Sequence, residues 1–234
     1  MLQSMTTRIM MFVVFGRPGA GKSTVSQAAV QLLGDGDGSN VCIGKLNNVD
    51  EFLYIYLDLD VCVPQWMKDN FAKGMYPTLA ERFEFISISC DYVSDKINSP
   101  QNENQSGKKP LVPIISFSFV NTDMRVEFRK RFPHSEWILV DTSKDLAEER
   151  ILSREDHFYK GSGGSSTDDT KTDGEDDPTT KTTESSDTAD VDNSEWEFKP
   201  VDYPHVILDG NDEVATNAQK VVDIIQNQLL NNSS

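Results

Sequence analysis

The run Gly16-Arg17-Pro18-Gly19-Ala20-Gly21-Lys22-Ser23 is a complete G-x-x-x-x-G-K-S sequence, and residues of these types at this spacing bind phosphate. The glycines let the backbone curl until successive N–H groups face phosphate oxygens, and a helix that begins at the end of the loop adds its positive dipole. Lys22 reaches the β- and γ-phosphates of a nucleotide, and the Ser23 hydroxyl sits where it can ligate Mg²⁺. Thr24 reads as a helix-packing or nucleobase-side residue.

Such a loop works only between a buried strand and a helix, and both flanks are present. Residues Arg8 to Phe15 are apolar and partly β-branched, as in a strand covered on both faces, while Thr24 to Leu33 has helical apolar spacing. Further along, Phe52 to Leu57 reads as a second strand, Leu111 to Phe117 as a third, Trp137 to Val140 as a fourth and His205 to Leu208 as a fifth. Helical patterns fall at Gln65 to Lys73, Leu79 to Lys96, Asp123 to Arg131, Lys144 to Arg154 and Glu213 to Leu230, with breaks at Gly34 to Asn40 and Gly74 to Pro77. Strands alternating with helices predict an α/β fold: a five-stranded parallel sheet with helices on both faces and ligands at the carboxyl ends of the strands.

Two further kinds of residue suit phosphoryl transfer. Asp58 and Asp60 close the second strand, and their i, i+2 spacing predicts side chains on one face, where one acid can serve Mg²⁺ and the other an attacking hydroxyl. Arg82, Arg125, Arg129 and Arg154 stand where phosphates or an anionic substrate would pass, and a guanidinium fork suits charge spread over equatorial oxygens. An aspartate capping the next helix, or an arginine on a solvated helix face, is the plainer account of each.

At 234 residues the chain fits one domain, 1–234. Its formal charge of −16 is unevenly placed: residues 162–195 carry eleven Asp or Glu against two Lys, with many Gly, Ser and Thr. That composition cannot offset the entropy of ordering, so the segment reads as a disordered acidic insertion, a linker or a regulatory segment open to phosphorylation. The acidity argues against nucleic acid as a partner. Cys42, Cys62 and Cys90 show no ligand or disulfide spacing and read as reduced thiols of a cytoplasmic protein, and no segment is long and apolar enough for a membrane partner.

The chain resembles the small gluconokinases of the shikimate kinase-like and nucleoside monophosphate kinase-like group. Asp58-Leu59-Asp60, Pro64, Gly74 and Arg82 follow the phosphate loop at separations matching that family's Asp-Gly-Asp, proline, glycine turn and arginine. The run Ser118 to Arg125, with Arg129, echoes its Ser-Ala-Leu-Lys-Lys-x-Tyr-Arg segment, and Arg150 to Phe158, with Arg154 and His157, echoes its lid entry. The family's paired lysines are Asn121 and Thr122 here, its glycine between the acids is Leu59, and the glycine before its lid histidine is Asp156.

The resemblance implies a P-loop kinase fold with a lid, and transfer of the γ-phosphate of ATP, with Mg²⁺, to a hydroxyl of a small sugar acid such as gluconate. It implies that Arg154 approaches the transferred phosphate from the lid and that Arg82 and Arg125 hold the acceptor's carboxylate or the phosphates. In that scheme Ser23 and Asp58 serve the metal, and Asp60 orients or deprotonates the acceptor. A homodimer is compatible with it. A shikimate or nucleoside monophosphate kinase, and an ATP-binding interaction protein without catalysis, remain as alternatives.

Overall fold

The computed structural model describes residues 9–34, 40–46, 50–99, 109–153 and 197–232. Strand β1, Met11–Phe15, has all five side chains buried, which a strand achieves only with neighbours on both edges and helices on both faces. Helix α1 (Lys22–Leu33) follows the phosphate loop. Then come β2 (Val41–Leu46), β3 (Asp50–Asp58), a 3₁₀ turn (Leu59–Cys62), α2 (Gln65–Ala72) and α3 (Leu79–Ile97). They are followed by β4 (Leu111–Phe117), α4 (Thr122–Arg131), β5 (Ser135–Asp141), α5 (Lys144–Leu152), β6 (Val206–Asp209) and α6 (Val214–Asn232).

The sheet has six strands in the order β2-β3-β4-β1-β5-β6. β1 pairs in parallel with β4 and β5, β3 with β4, and β6 with β5, so these five strands are the predicted parallel sheet. The sixth was not expected: β2 lies antiparallel on β3, with Val41 opposite Ile55 and Leu46 opposite Asp50. Its alternation is hidden in the sequence because Gly44 faces inward and Ile43 outward. A side chain at Gly44 would strike the Leu33 carbonyl at the end of α1. Glycine is what lets the helix end and the edge strand touch.

On one face α1 and α6 pack Val25, Ala29, Leu33, Val222 and Ile225 onto Phe12, Val14, Ile114 and Ile138. On the other, α3 and α4 bring Phe85, Ile86, Val93, Met124 and Phe128 onto Val13, Phe15, Ile115 and Leu139. β1 is the inner strand from which the chain runs out to β3, returns to β4 and crosses to β5, and its carboxyl end opens at that switch point.

Local signals set the helix that lines the site. The glycine turn after α2 closes as Gly74 N–H to the Phe71 carbonyl (3.0 Å) and Met75 N–H to the Asn70 carbonyl (2.9 Å), a Schellman closure with Gly74 at φ 71°. Thr78 and Glu81 then form a reciprocal capping box that starts α3 at Leu79, three residues before Arg82. Among the described residues no helix is long and apolar enough to cross a membrane. The acidic insertion at 162–195, Arg154 and His157 lie outside the described residues.

Candidate active site

The phosphate loop bridges β1 and α1 and is braced by backbone. Gly19 has φ 82°, and a Cβ there would run into the Ala147 carbonyl of α5. Gly21 has φ 89° and caps α1 with no side-chain hydrogen bond. A Cβ on Gly21 would meet nothing within 4 Å. The glycine therefore keeps open the space over the first N–H groups of α1, as a phosphate cradle requires. The loop closes through Ala20 N–H to the Arg17 carbonyl at 3.1 Å, and the Lys22 ammonium donates to that same carbonyl at 3.0 Å. Lys22 is largely buried along its stem, and Ala20 packs inside.

Part of the phosphate loop, Asp60 and Arg82 gather in one cleft, which Asp58 and Arg125 do not line. Pro18, Gly19, Gly21, Lys22, Ser23 and Thr24 line one side of it, and Asp60 and Arg82 stand on its other walls.

The expected same-face pair of acids is corrected by the backbone: β3 ends at Asp58 and residues 59–62 turn into a 3₁₀ helix, so strand alternation does not carry to Asp60. Asp58 Oδ1 accepts the Asp60 N–H at 3.0 Å and so caps that turn. Its Oδ2 accepts the Tyr56 hydroxyl at 3.0 Å. Tyr56 and Ser116 share a hydrogen bond of 2.8 Å, and Ser116 lies 3.4 Å from the Ser23 hydroxyl. A chain of oxygens thus links Ser23 on α1 to Asp58 on β3 by way of the buried ends of β3 and β4. Burial, aided by the Asp58 charge, pushes the Tyr56 hydroxyl pKa well up and keeps it a neutral donor. Neither Tyr56 nor Ser116 was singled out in the sequence; both lie inside apolar strands and carry no motif.

A hydroxyl and a carboxylate beside a phosphate cradle are oxygen ligands of the kind Mg²⁺ takes, and Ser23 with Asp58 fits that role. No group of three or more His, Cys, Asp or Glu among the described residues could hold a metal. A magnesium ion would complete its shell from phosphate oxygens and water.

Two arginines behave differently from expectation. Arg82 does reach the cleft, but its Nε and Nη2 both meet Asp123 Oδ2, at 2.9 and 2.8 Å, and its Nη1 donates to the Pro77 carbonyl at 3.0 Å. Arg125, expected at the substrate, is fully buried away from the cleft. Its Nε donates to the Phe119 carbonyl at 2.7 Å, its Nη2 to Val120 (3.0 Å) and Lys199 (2.9 Å), and its Nη1 to Pro200 (3.0 Å). The guanidinium also lies 4.6 Å from the Phe198 ring centroid. Burial lowers its pKa from the usual guanidinium value, opposed by Tyr203 and Asp202. Arg129 stacks on Tyr203 at 4.0 Å. Arg125 and Arg129 of α4 thus grip the segment that precedes β6. Arg17 reaches the same segment, 5.8 Å over Phe198.

No family model matches the chain. No curated protein matches it either. Among solved structures, an unliganded sugar kinase from Janibacter sp. aligns over 92% of this chain and 93% of its own, with TM-score 0.56 and 14% identity. The Mycobacterium tuberculosis APS kinase CysC, in complex with AMPPNP and APS, aligns over 94% and 98%, with TM-score 0.52 and 14% identity. A gluconokinase from Sinorhizobium meliloti aligns over 97% and 99%, with TM-score 0.49 and 13% identity. The first two likenesses establish the fold, which is that of the P-loop kinases.

Proposed function

We propose that this chain is an ATP-dependent phosphotransferase that moves a γ-phosphate to a hydroxyl of a small-molecule acceptor. The observation that carries the reading is the shared cleft: Asp60 faces the same open space as Lys22, Ser23 and the glycines of the phosphate loop.

The loop amides and the N-terminus of α1 hold the triphosphate, and Lys22 leaves the Arg17 carbonyl to meet the β- and γ-phosphates. Ser23 and Asp58 would hold Mg²⁺, which when bound would offset the charge of the phosphates. Asp60 orients the acceptor and takes its proton as the acceptor oxygen bonds to the γ-phosphorus and the bond from that phosphorus to ADP breaks. Arg154, just beyond α5, is the residue that the resemblance assigns to the transferred phosphate. The same resemblance names a sugar acid such as gluconate as acceptor, and the three cysteines without ligand or disulfide spacing support a cytoplasmic location.

The test is ADP formation with ATP and Mg²⁺ over a panel of gluconate, other sugar acids, shikimate and nucleoside monophosphates, with Lys22→Met as control. Transfer to a hydroxyl of gluconate, another sugar acid or shikimate that vanishes in Lys22→Met supports the proposal, transfer to the phosphate of a nucleoside monophosphate overturns the hydroxyl acceptor, and transfer surviving Lys22→Met points to a contaminant. A second reading, an ATP-binding protein without transfer, is favoured by the engagement of Arg82 and Arg125 elsewhere. ATP analogue bound tightly, with no acceptor of any class phosphorylated, would sustain it.

A further inference from the structure

Resting on the phosphotransferase reading, we infer that the acceptor is an uncharged alcohol carried on a flat aromatic ring system, and not a sugar acid. The wall opposite the phosphate loop is built from Met67 and Phe71 of α2, Phe85 of α3, Phe117 at the end of β4, and Val120 and Met124 around the start of α4. Phe85 and Phe117 are packed as a pair, with centroids 5.1 Å apart and planes inclined by 38°. Phe119 meets Phe117 edge-on at 5.2 Å from behind, so the aromatic wall is fixed in place. Met67 is buried, and its thioether conforms to a ring laid against it.

Charge points the same way. Lys22 belongs to the phosphate loop, and Arg125 is turned into the core. A carboxylate entering the cleft would have to compete with Asp123 for Arg82, at contacts of 2.8 and 2.9 Å, and would do so beside the Asp60 carboxylate. Asn121 and Thr122 add no positive charge. A sugar acid would also strip water from several hydroxyls against hydrocarbon, whereas a ring would bury only what the wall can match. One hydroxyl group is provided for, by Asp60 and by Ser118 at the rim.

The experiment compares kcat/KM for adenosine, cytidine and pyridoxine with kcat/KM for gluconate, glycerate and shikimate, with ATP and Mg²⁺, in the full chain. A ring alcohol favoured at least tenfold over every acid is the expected result. An acid favoured over every ring alcohol overturns the inference and leaves the phosphotransferase reading standing. No transfer to either group by protein that binds an ATP analogue removes both. Phe71→Lys, at a half-buried position, is expected to raise KM for the ring alcohol at least tenfold with ATP-analogue affinity unchanged. An unchanged KM in a variant with wild-type melting overturns the assignment of that wall. Phe71→Ser serves the same comparison if the lysine variant does not fold.

Discussion

Replacing Arg125 by Met separates a structural arginine from a substrate-binding one. Four of its N–H groups end on the carbonyls of Phe119, Val120, Lys199 and Pro200. At a net of about 1 kcal/mol per hydrogen bond the deletion costs about 4 kcal/mol, within the ~3–5 kcal/mol typical of breaking a buried, hydrogen-bonded charge. Against a total stability of about 5–15 kcal/mol that is a large share, and it corresponds to a melting point lower by roughly 8–16 °C for a chain of this length. Urea denaturation with linear extrapolation measures it, and hydrogen exchange reports where the loss is felt. The amides of 198–203 should lose protection first, because two of the four acceptors belong to Lys199 and Pro200. ATP-analogue affinity should hold at temperatures where the variant is folded. A stability change below about 1 kcal/mol would refute the reasoning. Arg125 would then belong with the substrate, as its motif suggests.

Three other outcomes are expected. Tyr56→Phe removes the donor to Asp58 and the partner of Ser116; the Mg²⁺ concentration for half-maximal activity should rise severalfold while the ATP-analogue affinity without metal is unchanged, and equal metal dependence in both proteins counts against the Ser23–Asp58 link. Gly21→Ala puts a methyl group into the phosphate cradle and a side chain at φ 89°, so nucleotide affinity should fall at least tenfold while stability falls by about 1–2 kcal/mol, measured by titration and melting. Burial raises the Cys42 thiol pKa from 9.0 to about 11. A group whose folded value lies above its unfolded value contributes stability that is complete below the unfolded value and lost as pH climbs through the folded one. The urea midpoint should therefore fall above about pH 9, with Cys42 contributing up to roughly 3 kcal/mol of that fall by about pH 11 beside the raised Cys90 thiol, and Cys42→Val should remove only its own share.

The parts legible in the sequence are those whose structure is decided within a few residues. β1, the loop and α1 follow from glycine spacing and apolar runs, and β4 was readable to its last residue because Leu111–Phe117 is an apolar run buried from Val112 onward. β2 was not legible: its inward residues include Gly44, and an edge strand whose small residue faces a helix end has no apolar alternation to show. Asp58 and Asp60 were located correctly at the carboxyl end of β3, but their mutual geometry depended on where the strand stops, which the Asp58 cap decides. Arg82 and Arg125 show the larger difficulty. Spacing marked both, yet the direction of a long side chain is set by partners 41 and 74–75 residues away, Asp123 for the one and Lys199 with Pro200 for the other. Tyr56 and Ser116 acquire their importance only when β3 and β4 lie side by side.

The bracing of the phosphate loop bears on how this molecule spends its time between encounters with nucleotide. With the Ala147 carbonyl behind Gly19, the Val140 carbonyl behind Gly16 and the Lys22 ammonium already parked on Arg17, the loop's shape is settled when the chain folds. On the phosphotransferase reading, an arriving triphosphate meets a finished mould and displaces water and the lysine's contact with the Arg17 carbonyl. Association should then be governed by diffusion and charge, and the empty and filled proteins should look alike along this stretch of backbone.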